Sequence, residues 1–270
     1  MRSAKTTASE EAAPPTGLPA PAARRISLLG CPLDAIRRAE LMEELTRAVH
    51  ERRRVTVLFA NVAKLVWARR DLELRGALAG ADFLLADGQP LVWVSRWLGT
   101  PVPERLAGID MMEATLELAS QNAWRVFFLG TRPEILEKVL VEVARRYPGL
   151  IIAGSYHGYI PVEETERVLE AVNASRADLL LVALGSPQKE LWLAHYGLKL
   201  DVPIRQAVGG SFEILAGHRR RAPAWMQRTG LEWSYRLLQD PARMAGRYLY
   251  TNTVFGLLVT GALLRRLWPR

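Results

Sequence analysis

Four stretches of this chain share one design: a short unbroken apolar run closes on a glycine or a polar residue, and a segment with helical spacing follows. Val55-Thr56-Val57-Leu58-Phe59-Ala60 stops at Asn61, and Phe83-Leu84-Leu85-Ala86 stops at Asp87-Gly88. Arg125-Val126-Phe127-Phe128-Leu129-Gly130 runs on through Thr131-Arg132-Pro133, and Leu179-Leu180-Leu181-Val182-Ala183-Leu184-Gly185 through Ser186-Pro187. Strands that are apolar on both faces are covered on both faces, and strands that alternate with helices pair in parallel. Residues 26–30, 150–155 and 204–208 are further strands, and 38–52 and 163–173 read as helices, the first with Leu41, Leu45 and Val49 along one face. The pattern predicts an α/β fold over residues 26–216: a largely parallel, Rossmann-like sheet with helices on both faces.

Ligands of open parallel sheets sit beyond the carboxyl ends of the strands, so the residues that close each run are the candidates for chemistry. Asp87 comes first. A carboxylate at such a junction can serve as a general base, although Asp-Gly is also a plain turn or helix cap. Gly130-Thr131-Arg132 opens a helix, where backbone N–H groups, the helix dipole and Arg132 can hold a phosphate. Tyr156-His157-Gly158-Tyr159 sets two aromatic rings and an imidazole on one loop, suited to stacking on a base or sugar, with Tyr159 equally readable as core. In Gly185-Ser186-Pro187-Gln188-Lys189, glycine admits a ligand to the backbone, Pro187 starts a helix, and Gln188 and Lys189 put polar groups in its first turn. A cation there opposes the helix dipole, which points to an anionic partner. Gly209-Gly210 repeats the theme of close approach.

Missing signals prune the chemistry. The chain has no Gly-x-Gly-x-x-Gly, no Walker lysine loop and no Asp-x-Asp pair. Its four histidines, His50, His157, His195 and His218, do not fall at metal-ligand spacing, and the single Cys31 leaves no internal disulfide or thiolate zinc site. A mechanism without metal or other cofactor is expected, in the cytoplasm as the default reducing compartment.

Net charge is +8, and the excess sits at the C-terminal end, where residues 205–270 hold 11 arginines against three acids. Such a tail implies an anionic partner, a phosphorylated ligand or lipid headgroups. Nucleic acid is not expected, since the run His218-Arg219-Arg220-Arg221 stands alone. Residues 1–25, rich in Ala and Pro, read as a disordered tail, and residues 217–270 as a helical basic appendage. Within it, 223–238 reads as one amphipathic helix ended by Asp240-Pro241. Residues 248–264, bracketed by Arg247 and Arg265-Arg266, are apolar but short of the ~20 needed for a span. This stretch reads as an in-plane or shallow membrane anchor rather than a span; a helix packed on a partner subunit has the same pattern. Deleting 217–270 is expected to improve solubility at the cost of activity.

Several blocks then add up in order and spacing: Asn61; Ala86-Asp87-Gly88; Glu104-Arg105-Leu106-Ala107-Gly108-Ile109-Asp110; Phe128-Leu129-Gly130; His157-Gly158-Tyr159; Val182-Ala183-Leu184-Gly185-Ser186-Pro187; Val208-Gly209-Gly210-Ser211-Phe212; Arg221-Ala222-Pro223; and Leu231-Glu232-Trp233-Ser234-Tyr235-Arg236-Leu237. Together they resemble the WecG/TagA/CpsF family of bacterial glycosyltransferases, of GT-E fold. The resemblance implies inverting, metal-independent transfer from a UDP-sugar to a polyprenyl-diphosphate-linked sugar, by a cytoplasmic protein held peripherally at the inner face of the plasma membrane. The best-known members add N-acetylmannosamine to undecaprenyl-diphosphate-linked N-acetylglucosamine in cell-surface polymer assembly. The resemblance gives Asp87 the role of base, places Arg105 in the pocket, and has tail arginines, here Arg221, Arg236 and Arg243, complete the site. It also allows a homo-oligomer whose tail closes the site. Elementary chemistry agrees, because the attacking hydroxyl must lose a proton and the leaving diphosphate must be neutralised.

The chain departs from the family at two points. Phe59 stands where a threonine close to the catalytic acid is usual, and Gln188-Lys189 stands where the family tends to read Lys-Gln. The donor sugar is therefore not carried over, and N-acetylmannosamine is the first to test. The alternative that Phe59 favours is a non-catalytic nucleotide- or lipid-binding module that recruits partners to the membrane.

Overall fold

A computed structural model of the chain describes residues 24–267, without the side chain of Arg243. Of the tail expected over residues 1–25, residues 1–23 lie outside the described residues, and Arg24 and Arg25 belong to a strand. The chain opens with a hairpin, β1 (Arg24–Leu28) against β2 (Cys31–Ala35), turned by Leu29 and Gly30 at positive φ. Then come α1 (Arg38–His50), β3 (Val55–Ala60), α2 (Val62–Trp67), α3 (Leu72–Ala79), β4 (Phe83–Ala86), α4 (Gln89–Trp97) and α5 (Gly108–Gln121). The middle of the chain forms β5 (Arg125–Gly130), α6 (Pro133–Arg146), β6 (Ile151–Tyr156), α7 (Thr165–Ala174), β7 (Leu179–Ala183), α8 (Gln188–Tyr196), β8 (Ile204–Ala207) and α9 (Ser211–Leu215). The tail is α10 (Ala224–Arg228), α11 (Glu232–Gln239) and α12 (Pro241–Leu267).

Strands β3 to β8 form one six-stranded sheet in the order β4-β3-β8-β7-β5-β6, and every pairing is parallel. Side chains two apart share a face, so each strand feeds both halves of the core. Leu58, Leu84, Leu180 and Val182 pack with α2, α3, α4, α7 and α8; Val57, Phe59, Phe83, Leu85 and Leu181 pack with α1, α5, α6 and α9. The hairpin is tied to the β4 edge by buried Asp34, which accepts the Leu84 N–H at 2.7 Å and pairs with Arg25 at 2.8 Å.

Three expectations change. The run 26–30 is one arm of a separate hairpin, whose second arm is hidden in the sequence because Pro32 and Asp34 interrupt its apolar pattern. The single helix expected over 223–238 is two, broken where Gly230 turns at φ 66 against the Trp93 ring. The apolar stretch 248–264 is part of the longer α12, which begins at Pro241 and lies on α2 of its own chain. Phe255 and Val259 are buried in that contact, and the Arg247 guanidinium sits 4.7 Å over the Trp67 ring. Leu249, Leu257, Leu264 and Leu267 remain exposed. Among the described residues no helix is long and apolar enough to cross a membrane.

Candidate active site

Parallel pairing brings all six strand ends to one rim, and the expected residues lie along it. Asp87 follows β4, Asn61 follows β3, Gly209-Gly210 follow β8, Gly185 to Lys189 follow β7, Gly130-Thr131-Arg132 close β5, and Tyr156 to Tyr159 close β6. At ~4.8 Å per strand, the Asp87 and Gly209 turns are about 10 Å apart, while Asp87 and the Tyr156 loop are about 24 Å apart. The rim thus gathers Asp87, Asn61, Lys189 and the Gly209-Gly210 turn, and leaves Tyr156, His157, Tyr159 and Arg132 at the far end.

Asp87 is fixed by backbone. Its N–H donates to the Ala60 carbonyl at 2.8 Å, and its Oδ1 accepts the Gly108 N–H at 3.0 Å. Oδ1 is thereby anchored, and Oδ2 has no hydrogen-bond partner among the described residues. Phe59 does not face this space: it is 3% exposed, and its ring packs beneath Gly108, 3.7 Å from where a Cβ would stand. It supports the backbone that holds Asp87. Asn61 caps α2, its Oδ1 accepting the Lys64 N–H at 3.1 Å.

The glycines sort by what fills the space a side chain would take. A Cβ on Gly130, at φ 125, would lie 2.5 Å from the Ala183 carbonyl carbon, so strand packing by itself requires glycine there. At Gly209 the space is taken by the chain's own Lys189, whose Cε lies 3.3 Å away. Around Gly210 nothing stands within 4 Å, and there the expected open approach exists. Gly185 faces only Gln188, which is exposed. At the far end, Arg132 meets His218 at 3.1 Å, the Tyr156 hydroxyl donates to Glu164 at 2.5 Å, and Tyr159 is exposed rather than core. His157 Nδ1 is buried without a hydrogen-bond partner among the described residues.

Beneath the Gly209 turn lies an ion cluster that sequence reading missed. Glu190 is fully buried and meets Lys64 Nζ at 2.6 Å and Lys189 Nζ at 3.0 Å; Lys64 also donates to the Phe59 carbonyl at 2.5 Å, and Ser186 Oγ to Glu190 at 3.1 Å. Burial alone would raise the Glu190 carboxyl, but the two lysine charges outweigh it and hold the group below its ordinary value. For Lys189 burial dominates, reinforced by the Lys64 charge, and pushes the amine down to about 8 against the opposing pull of Glu190 and Asp87. Glu190, one residue on, is thus the nearest anion to Lys189, and it is shared with Lys64.

A second network closes the rim from the tail side. Arg105 pairs with Asp110 and Glu232, each at 3.2 Å, and donates to Gln227 at 3.4 Å. Arg221 pairs with Asp110 at 2.6 Å, Arg236 with Glu232 at 2.8 Å, and Arg236 lies within electrostatic reach of Asp87. Burial works against the Arg221 charge, and its bond to Asp110 outweighs that, holding the guanidinium above its ordinary value. Arg221 keeps Nε and Nη2 buried without partners among the described residues. The expected arginines are thus brought together, except that Arg243, in α12, has its side chain outside the described residues.

Asp110 and Glu232 stand inside blocks already visible in the sequence, but nothing there assigned them a partner. Lys64 had one overlooked signal, a lone charge inside the apolar run Val62-Ala63-Lys64-Leu65-Val66. Among the described residues no group of three His, Cys, Asp or Glu is placed to hold a metal ion.

Comparison with known proteins bears on the family of the chain. The profile of the family described as "Glycosyl transferase WecG/TagA/CpsF family" matches residues 26–268. The N-acetylglucosaminyldiphosphoundecaprenol N-acetyl-beta-D-mannosaminyltransferase of Bacillus spizizenii is 37% identical over 176 residues, covering 65% of this chain and 68% of the relative. The protein of the same description from Bacillus subtilis (strain 168) is 33% identical over 178 residues, with the same coverage of both chains. That of Staphylococcus aureus (strain MW2) is 28% identical over 222 residues, covering 82% of this chain and 87% of its own.

Proposed function

The chain belongs to the WecG/TagA/CpsF family of glycosyltransferases, and from that premise we propose that it moves N-acetylmannosamine from a UDP-sugar to undecaprenyl-diphosphate-linked N-acetylglucosamine. The transfer is inverting and uses no metal. The observation that carries this reading is Asp87, pinned through one oxygen by Gly108 and within electrostatic reach of Lys189 and Arg236.

The acceptor hydroxyl approaches the free oxygen of Asp87, gives up its proton there, and its oxygen bonds to the anomeric carbon as the bond to the UDP oxygen breaks. Displacement from the face opposite the leaving group inverts the centre. The departing diphosphate gains negative charge, and preorganised cations answer it without a metal ion. Arg105, Arg221 and Arg236 hold the diphosphates of donor and acceptor at the tail side, with Arg243 on the following helix. The acceptor is a lipid, and the tail fits one: the exposed Leu249, Leu257, Leu264 and Leu267 of α12 lie in the same helix as Arg265 and Arg266. We place the protein peripherally on the inner face of the plasma membrane.

The test is transfer by purified full-length protein from a panel of UDP-sugars to a short-chain polyprenyl-diphosphate-linked N-acetylglucosamine in EDTA, with the anomeric configuration of the product read by NMR. Turnover with UDP-N-acetylmannosamine and inversion are expected. Turnover with a different donor would correct the sugar, and folded protein that binds UDP without turnover on any donor would overturn the reading.

A further inference from the structure

We propose that Lys189 is a further cation, beside the arginines, that receives the donor's leaving diphosphate at the Gly209-Gly210 turn, and that Lys64 and Glu190 are positioning residues that clamp it there. The inference rests on the nucleotide-sugar reading above and names a part of that site outside the arginine network.

The stoichiometry of the cluster points to a ligand. A structural ion pair needs one lysine for one carboxylate, whereas Glu190 holds two, and all three side chains are 7% exposed or less. Within contact distance the two buried ammonium groups thus share one carboxylate, and the next anion in reach of Lys189 is Asp87 across the rim. Lys64 is committed twice over, to Glu190 and to the Phe59 carbonyl, and holds α2 to α8. Among the described residues Lys189 has Glu190 alone at 3.0 Å, and its stem passes under Gly209, where a side chain would displace it. The space next to it, at Gly210, is open.

The placement suits the chemistry. Asp87 and the Gly209 turn lie two strand spacings apart, about 10 Å, which leaves room for a sugar ring between a base on one side and a cation on the other. That is the arrangement a displacement with inversion requires.

The charged groups facing Lys189 are Glu190 on its own helix, Lys64 from α2 and Asp87 from the turn after β4. Cys31, near Lys64, is pushed up to about 11 by burial and stays neutral in the relevant range. Burial and Lys64 bring Lys189 down to about 8, so the amine is charged below that pH and neutral above it. Diphosphate binds the charged form, and affinity present at pH 7 is lost as pH rises through 8.

The experiment is UDP binding to the full chain by calorimetry from pH 7 to 9, with thermal unfolding as a check on folding. Wild type is expected to bind about tenfold more weakly at pH 9 than at pH 7. Lys189→Arg, which keeps its charge and shares any titration of the nucleotide itself, should bind with no such slope. Lys189→Met should bind weakly throughout. Lys64→Met removes a like charge, so its midpoint should move upward, a shift that a merely structural lysine would not produce. A flat wild-type profile, or folded Lys189→Met binding as wild type does, would overturn the assignment. Failure of wild type to bind UDP at any pH would instead overturn the nucleotide-donor reading, and this inference with it.

Discussion

Gly130 and Gly210 close strands of the same sheet and do different jobs. An alanine methyl at Gly130 would meet the Ala183 backbone at 2.5 Å in a conformation that L residues rarely adopt, so Gly130→Ala should lose roughly 3 kcal/mol or more of stability. Gly210→Ala adds its methyl to open space at negative φ and should stay within about 1 kcal/mol of wild type, while UDP affinity falls at least about tenfold because the methyl enters the diphosphate turn. Urea unfolding and calorimetry separate the two outcomes; equal loss of stability in both would remove the distinction. The sequence shows glycines at strand ends but not what fills the space beside them. That is why Gly130, Gly209 and Gly210 read alike in the sequence as ligand contacts, although of these three Gly210 alone has open space beside it. The partnership of Lys64 with Glu190 was illegible for a related reason: Lys64 stands out as a lone charge in an apolar run, but Glu190 looks like an ordinary helix residue until parallel pairing of β3 and β7 with β8 brings their helices together.

The elements themselves were largely legible, because a buried parallel strand leaves an uninterrupted apolar run and a surface helix leaves a period near 3.6. Breaks and docking faces were not. Gly230 splits α10 from α11 by a turn that costs no apolar residue, so the periodicity carries across it. Helix α12 shows apolar residues on several sides, and nothing in its sequence tells that Phe255 and Val259 meet α2 while Leu257 does not. Phe255→Ala should therefore cost about 3 kcal/mol, and Leu257→Ala less than about 0.5 kcal/mol, by urea unfolding. Similar costs for the two would place the helix elsewhere. Because α12 covers an apolar face of the body, deleting it should lower solubility, reversing the expectation drawn from its composition.

Across the whole molecule, the class of sheet was readable and its order was not: every crossover is long enough to reach several positions, so β4-β3-β8-β7-β5-β6 is one of many arrangements the pattern allows. The order matters, since it puts the Asp87 turn two strands from the Gly209 turn and sends the Tyr156 loop to the far edge. Charge was readable at this scale, a neutral body with a basic end. Binding to vesicles containing anionic lipid should weaken between about 50 mM and about 500 mM salt, and the double change Arg265→Glu and Arg266→Glu should weaken it by about 1 kcal/mol per charge or more, as read by co-sedimentation. Salt-independent binding would speak against the headgroup contact.

The proposed reaction turns on the proton transfer to Asp87. Its most direct test is the rate of sugar transfer by Asp87→Asn measured beside its affinity for UDP. Asparagine preserves the bond to Gly108 but cannot take the acceptor's proton, so transfer should fall about a thousandfold while UDP affinity stays within about threefold of wild type. Transfer at the wild-type rate would contradict it.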